Sequence, residues 1–180
     1  MKKIFRGLLV ISVLLVVFLI AGMMLPSAIQ LQSKVNISST AESAYALLAD
    51  YRRMSTWLNW NITDPAIRYR FEGEQQGVGA IMHWQSAHDE IGKGAQKIIE
   101  TDTNKSVKHI IAFNNMPRAY SLFEIVEKKD HIELSCRFEM QLGFNIPARI
   151  RALFLSDDIE RDYCNSIEKL SILLEGASRQ

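Results

Sequence analysis

An α+β domain behind one membrane-spanning helix is the architecture that this 180-residue sequence predicts. Three observations carry the prediction. An uncharged run lies near the amino terminus. Short alternating segments joined by turns fill the middle. One long apolar stripe at helical spacing ends the chain. Strands joined by short turns, with helices set apart from them in sequence, indicate an antiparallel sheet covered by helices.

The chain opens on a basic lead, Lys2, Lys3 and Arg6, and then runs from Leu8 to Leu25 without a charge. At about 1.5 Å per residue this stretch is just long enough to cross a bilayer. The rival reading is a cleaved signal peptide. The apolar run exceeds the usual signal core, and no small-x-small cleavage site follows it. The positive-inside rule keeps the amino terminus in the cytoplasm and places the domain on the far side. In a bacterium with two membranes this is a single-pass protein of the inner membrane with a periplasmic domain. The expected division is an anchor with a short polar linker (Gln30 to Ser33) over residues 1–30, and one domain over 31–180.

Lys34 to Ser38 alternates and reads as a first strand. Ser39-Thr40-Ala41-Glu42 reads as a capping box. Ala44, Leu47, Leu48 and Tyr51 then follow at helical spacing, and Trp57 to Trp60 forms a short second helix or a turn. Six strand segments follow: one around Ile67 to Phe71, one from Val78 to Trp84, one from Ile91 to Thr101, then those around His109, around Phe123 and from Ile132 to Met140. Turns separate them, including Asn114 to Pro117. A four-residue turn over 87–90 would put Lys93 and Lys97 on the face of Trp84. That face is then partly exposed, or a bulge at Gly92 or Gly94 shifts the register. The final helix spans Pro147 to Glu175, its stripe formed by Ile159, Tyr163, Ile167, Leu170 and Leu174. Ser156-Asp157-Asp158 interrupts the stripe and predicts a kink or a cap and restart.

A net charge of +1 with no basic stripe gives no sign of a nucleic-acid partner. Cys136 and Cys164 lie on a strand and on the last helix; the simplest reading is two buried free thiols, with a bridge as the alternative. Neither has metal-ligand spacing around it, the four histidines are scattered, and no cofactor motif is present.

Four stretches resemble the START-like superfamily known as SRPBCC, and within it the polyketide cyclase/dehydrase-type proteins. They are Asp50-Tyr51-Arg52-Arg53 with Trp57 and Trp60; Gly77-Val78-Gly79-Ala80 leading to Trp84; Ile91-Gly92-Lys93-Gly94 with Ile98-Ile99-Glu100; and Asp162-Tyr163 with Leu170 and Glu175. The likeness covers about residues 33 to 175. It implies a helix-grip fold, an antiparallel sheet curled around the carboxy-terminal helix, with an internal pocket for lipids, sterols, polyketides or other apolar molecules. The membrane anchor is an addition that the resemblance does not explain.

The candidate pocket residues are Trp57, Trp60, Trp84, Phe113 and Phe154, because pocket walls are mostly apolar and aromatic. An ordinary core is their competing explanation. His109, on the face of Val107, Ile111 and Phe113, is a pocket contact and the first candidate acid or base; His83 is the second. Glu72 and Glu74 can be an acid/base pair, or simply sit at a strand end. His88 and His131 lie in or beside turns and read as solvated. Glycines 77, 79, 92 and 94 read as strand bulges or close packing rather than as a phosphate loop. Three functions compete: membrane-anchored binding of an apolar molecule or lipid, a cyclase or hydratase-type enzyme using a cavity histidine, and a scaffold with a filled core.

Overall fold

In the computed structural model, which describes residues 2–114 and 116–177, an apolar helix α1 (Lys2–Met24) precedes the strand β1 (Ala28–Ile37). Three short helices follow: α2 (Ala41–Leu48), α3 (Tyr51–Trp57) and α4 (Trp60–Thr63). The meander is β2 (Arg68–Glu72), β3 (Ile81–Gln85), β4 (Lys93–Asp102), β5 (Ser106–Phe113), β6 (Ala119–Glu127) and β7 (Ile132–Gln141), and α5 (Ile146–Ala177) closes the chain. The strands form one antiparallel sheet in the order β1-β7-β6-β5-β4-β3-β2. The sheet curls, and α5 lies in its concavity. The α+β expectation holds, and the six-strand meander is present.

The inner face of the sheet packs into two apolar clusters. At one end Leu48, Trp57, Ile98, Val107, Phe123 and Leu134 meet Ile167, Leu170 and Leu174 of α5. At the other, Ile29, Ile111, Ala119, Phe138 and Met140 meet Ala148 and Ala152 at the start of α5. Asn59, between α3 and α4, ties the cover down: its N–H donates to Ser166 Oγ at 2.9 Å and its Nδ2 to Asp162 Oδ1 at 2.7 Å.

Several boundaries differ from expectation, each for a local reason. Gln30 to Ser33 is not a linker. It belongs to β1, whose pairing with β7 runs from Ala28 opposite Gln141 to Ile37 opposite Ile132. The cap of α2 is Thr40, whose hydroxyl accepts from Ser43 N–H at 3.2 Å, and not Ser39 with Glu42. Gly77 and Gly79 lie in the loop before β3 rather than in a strand; their N–H groups donate to Ala49 O and Ile98 O. No cap and restart occurs at Ser156-Asp157-Asp158, because α5 runs through it as one continuous 32-residue helix. Asp158 there pairs with Arg161 one turn on, at 2.6 Å, instead of capping a new helix. Cys136 is buried as expected but Cys164 is exposed; both are free. Asn115, in the expected Asn114–Pro117 turn, lies outside the described residues.

The Lys93 and Lys97 conflict is resolved by loop length. The β3–β4 connection runs from Ser86 to Gly92, and Trp84 pairs with Gly94 while Gln85 pairs with Lys93. The strand parity therefore moves by one, and both lysines point outward. Gly92, at φ +57°, ends the loop. The bulge sits further on, between Ile98 and Glu100. It turns Glu100 out of the core, to a surface pair with Lys108 at 3.7 Å.

The junction with α1 is also specific. Ile146 lies on Gly22. The buried Arg149 donates from Nε to Gly143 O at 2.7 Å and from one terminal nitrogen to Met23 O at 2.8 Å and Leu25 O at 2.9 Å. A cation on the last carbonyls of a helix satisfies groups that have no partner within the helix and complements its dipole.

Two outcomes follow. A Cβ on Gly94 would collide with the Trp84 ring and the Ala112 carbonyl. Gly94→Ala will therefore cost about 1–3 kcal/mol in chemical denaturation, whereas Gly176→Ala, with nothing within 4 Å, will cost nothing. Arg149→Met will cost about 2–4 kcal/mol and speed hydrogen exchange at the Leu142 and Gly143 amides, which are bonded to Ser27 O. Arg149→Lys will recover only part of that loss, since an ammonium lacks the guanidinium fork.

Candidate functional site

Between the two clusters the sheet and α5 enclose a cavity of about 410 Å³. Its sheet wall comes from alternate residues of neighbouring strands. Gln96 on β4 faces Ile111 on β5, and His109 on β5 faces Ser121 on β6, which faces Phe138 on β7. Phe113 and Phe123 complete that wall. Met54, Trp57, Leu58 and Trp60 come from α3 and its sequel, and Leu155, Ile159 and Tyr163 from α5. The exposed lining residues, among them His88, Glu90, Lys93, Asn114 and Arg151, gather at one end and mark the mouth. Arg161 of α5 reaches Glu90 of the β3–β4 loop across it at 3.6 Å, a surface pair of small energetic weight.

Among the sequence candidates, Trp57, Trp60, His109 and Phe113 line this cavity. Trp84 stands one layer behind, buried, with its ring 4.9 Å from Trp60 and 5.6 Å from Phe113; it supports the wall. Phe154 is a correction: it is 75% exposed on the solvent side of α5 and does not line the cavity. The aromatic character that made Phe154 a candidate does not place it, because the buried face of α5 there is Ala148, Arg149 and Ala152. His83 is on the outer face of the sheet, its Nε2 3.1 Å from Glu72 Oε2. Glu72 also pairs with Arg70 at 2.9 Å, so Glu72 and Glu74 form no cavity acid/base pair. Among the described residues no cluster of three or more His, Cys, Asp or Glu could hold a metal ion.

The polar part of the wall is the informative part. His109 is 1% exposed. Its Nδ1 is 3.0 Å from the Tyr51 hydroxyl, and its ring is edge-on to Phe123 at 5.5 Å. Burial without a counter-charge pushes its pKa from 6.5 down to about 3, so the imidazole is neutral at ordinary pH. Burial likewise pushes the Tyr51 and Tyr163 hydroxyls up, out of the titrating range. Four polar atoms of lining residues are buried with no hydrogen-bond partner among the described residues: Trp57 Nε1, His109 Nε2, Ser121 Oγ and Tyr163 OH. Sequence reasoning missed Gln96, Ser121 and Tyr163 as polar lining groups. The available signal was a polar residue set among buried positions of a strand, Ser121 between Ala119 and Phe123.

A stability consequence can be measured. The unfolded chain takes up a proton on this histidine near pH 6.5, while the folded chain does not until about pH 3. Stability is therefore lost as pH falls below about 6.5. Between pH 8 and pH 5 the loss attributable to His109 is roughly 2 kcal/mol, and His109→Gln will lose that much less over the same interval in denaturant titrations.

No family model matches the sequence, and no curated protein does. Solved structures do resemble the chain. Protein CV1439 from Chromobacterium violaceum is 16% identical, with a TM-score of 0.58, over 83% of this chain and 99% of that one. The di-domain ARO/CYC StfQ of the steffimycin biosynthetic pathway is 7% identical, with a TM-score of 0.62, over 85% of this chain and 52% of that one. The Aha1 dimer structure from Colwellia psychrerythraea is 16% identical, with a TM-score of 0.53, over 81% of this chain and 96% of that one. At these identities the likeness is one of fold: the chain has the helix-grip fold of the START-like, or SRPBCC, proteins.

Proposed function

We propose that this chain is a membrane-anchored binding protein for an apolar small molecule or lipid, which it holds in the cavity between the sheet and α5. The cavity itself carries the reading. At about 410 Å³ it falls in the range of small-molecule sites, and it combines an aromatic wall with a few polar groups. It also speaks against a scaffold with a filled core. α1 is apolar over Ile4–Met24 and long enough to cross a membrane. On this reading it is a single-pass anchor in the inner membrane, with the amino terminus in the cytoplasm and the domain in the periplasm. The anchor lies within residues 1–30 and the binding domain takes up the rest, with the junction near Ala28, where β1 begins. A tether of this kind keeps the cavity beside the bilayer and raises the effective concentration of lipid-soluble ligands.

The second reading is a cyclase or hydratase-type enzyme, for which the likeness to StfQ and the Tyr51–His109 pair are the observations. A general base works best with a pKa near the operating pH. His109 is held near 3, which suits a neutral hydrogen-bonding group better than a proton acceptor.

The test is native mass spectrometry with lipid extraction on the full chain purified from its own host's membranes. A reproducible co-purifying apolar molecule is expected, and it should disappear in Ile111→Trp, which fills the cavity from its sheet wall. A folded chain that carries nothing and binds no apolar probe would remove the binding reading. A reporter joined after Gln180 should be active only outside the cytoplasm; cytoplasmic activity would overturn the topology.

A further inference from the structure

Four polar groups on residues that line the cavity make no hydrogen bond of good geometry among the described residues, and three of them, on His109, Ser121 and Tyr163, are neighbours. His109 and Ser121 are directly opposed on β5 and β6, on the inner face of the sheet. Tyr163 descends from α5 to within reach of a weak hydrogen-bond interaction with Ser121, but neither hydroxyl makes a hydrogen bond of good geometry among the described residues. Trp57 approaches from α3, its ring edge-on to Phe123 at 6.5 Å, and Phe123 is the ring that His109 touches. Folded interiors leave few buried polar atoms unpaired, and each one normally destabilises the fold.

All four groups can donate. The Trp57 indole N–H can do nothing else. The two hydroxyls rotate to suit. For His109, the Tyr51 hydroxyl donating to Nδ1 puts the ring proton on Nε2; the opposite assignment would strand the buried Tyr51 proton as well. The complement of four donors is an acceptor. The lining cations Lys93 and Arg151 are exposed residues of the mouth, so no cation stands with the donors to balance a buried carboxylate.

We infer that the cavity takes a neutral apolar ligand bearing a carbonyl-type oxygen, which seats against His109, Ser121, Tyr163 and Trp57. This rests on the cavity being the ligand site. It assigns that ligand a polar atom and an orientation: oxygen at the sheet, hydrocarbon toward the mouth.

The experiment compares benzophenone with diphenylmethane, the same two rings with and without the carbonyl, on the full chain in lipid nanodiscs. Binding is read from tryptophan emission. Benzophenone should bind about tenfold more tightly than diphenylmethane, the worth of one to two net hydrogen bonds. In the double variant Ser121→Ala/Tyr163→Phe the preference for benzophenone should fall to about threefold, the share left to the His109 and Trp57 N–H groups, with the affinity for diphenylmethane unchanged. Equal affinities in the unmodified chain, or a preference undiminished by the double variant, would overturn the inference and leave apolar binding standing. If neither probe binds, the binding reading falls and this one with it. The ligand-free double variant should melt no lower than the parent, because it loses only unpaired hydroxyls; a lower melting temperature means those hydroxyls are satisfied inside the fold, and the inference fails.

Discussion

Everything about this domain depends on how α5 is held at its two ends. Its fully buried residues fall into two groups: Ala148, Arg149 and Ala152 near the start, and Ser166, Ile167, Leu170 and Leu174 toward the end. Over residues 153–165 none is fully buried, and Leu155, Ile159 and Tyr163 are only half covered. A continuous helix cannot sag into a concave sheet between two fixed points, because each turn is locked by its own backbone hydrogen bonds. About 20 Å of roof is left spanning open space. The cavity is therefore a product of the sheet's curvature and the helix's stiffness, with Asn59 closing one flank through Asp162 and Ser166.

The sheet beneath is arranged so that polar side chains reach this space without exposing the core. The Ile98–Glu100 bulge sends a carboxylate outward, where alternation would have sent it in. The register then keeps Gln96, His109 and Ser121 on the inner face among apolar neighbours. Such a placement works against stability, and the low pKa of His109 is its electrostatic expression. A fold selected only for its own cohesion would carry apolar residues there, and this departure from that rule is what supports the proposed binding site.

Much of this was legible from the residues. The 3.6-residue stripe of α5 and the two-residue alternation of Val107, His109 and Ile111 located the helix, the strand and its buried face correctly. What could not be read was whatever depended on loop length or on partners distant in sequence. The Trp84 to Gly94 register required knowing that the β3–β4 loop takes in all of Ser86 to Gly92. β1 takes in the polar run Gln30 to Ser33 because its partner is β7, far away in sequence. Phe154 fits a helical stripe on paper, yet the face it shares has no neighbour to cover it. The unpaired donors were invisible for the same reason, since an unmet hydrogen bond is a statement about everything surrounding a group.

The Arg149 clamp has a mechanical consequence. It joins the last carbonyls of α1 to the first turns of the same rigid helix that roofs the cavity. On the proposed reading of α1 as a membrane anchor, anchor and roof form a lever with its fulcrum at the junction before β1. With α1 as the proposed anchor, a change in its tilt, of the kind that follows from membrane thickness, acts on the roof through the two hydrogen bonds from Arg149 to Met23 O and Leu25 O. On that reading the volume beneath α5 is coupled to the thickness of the membrane.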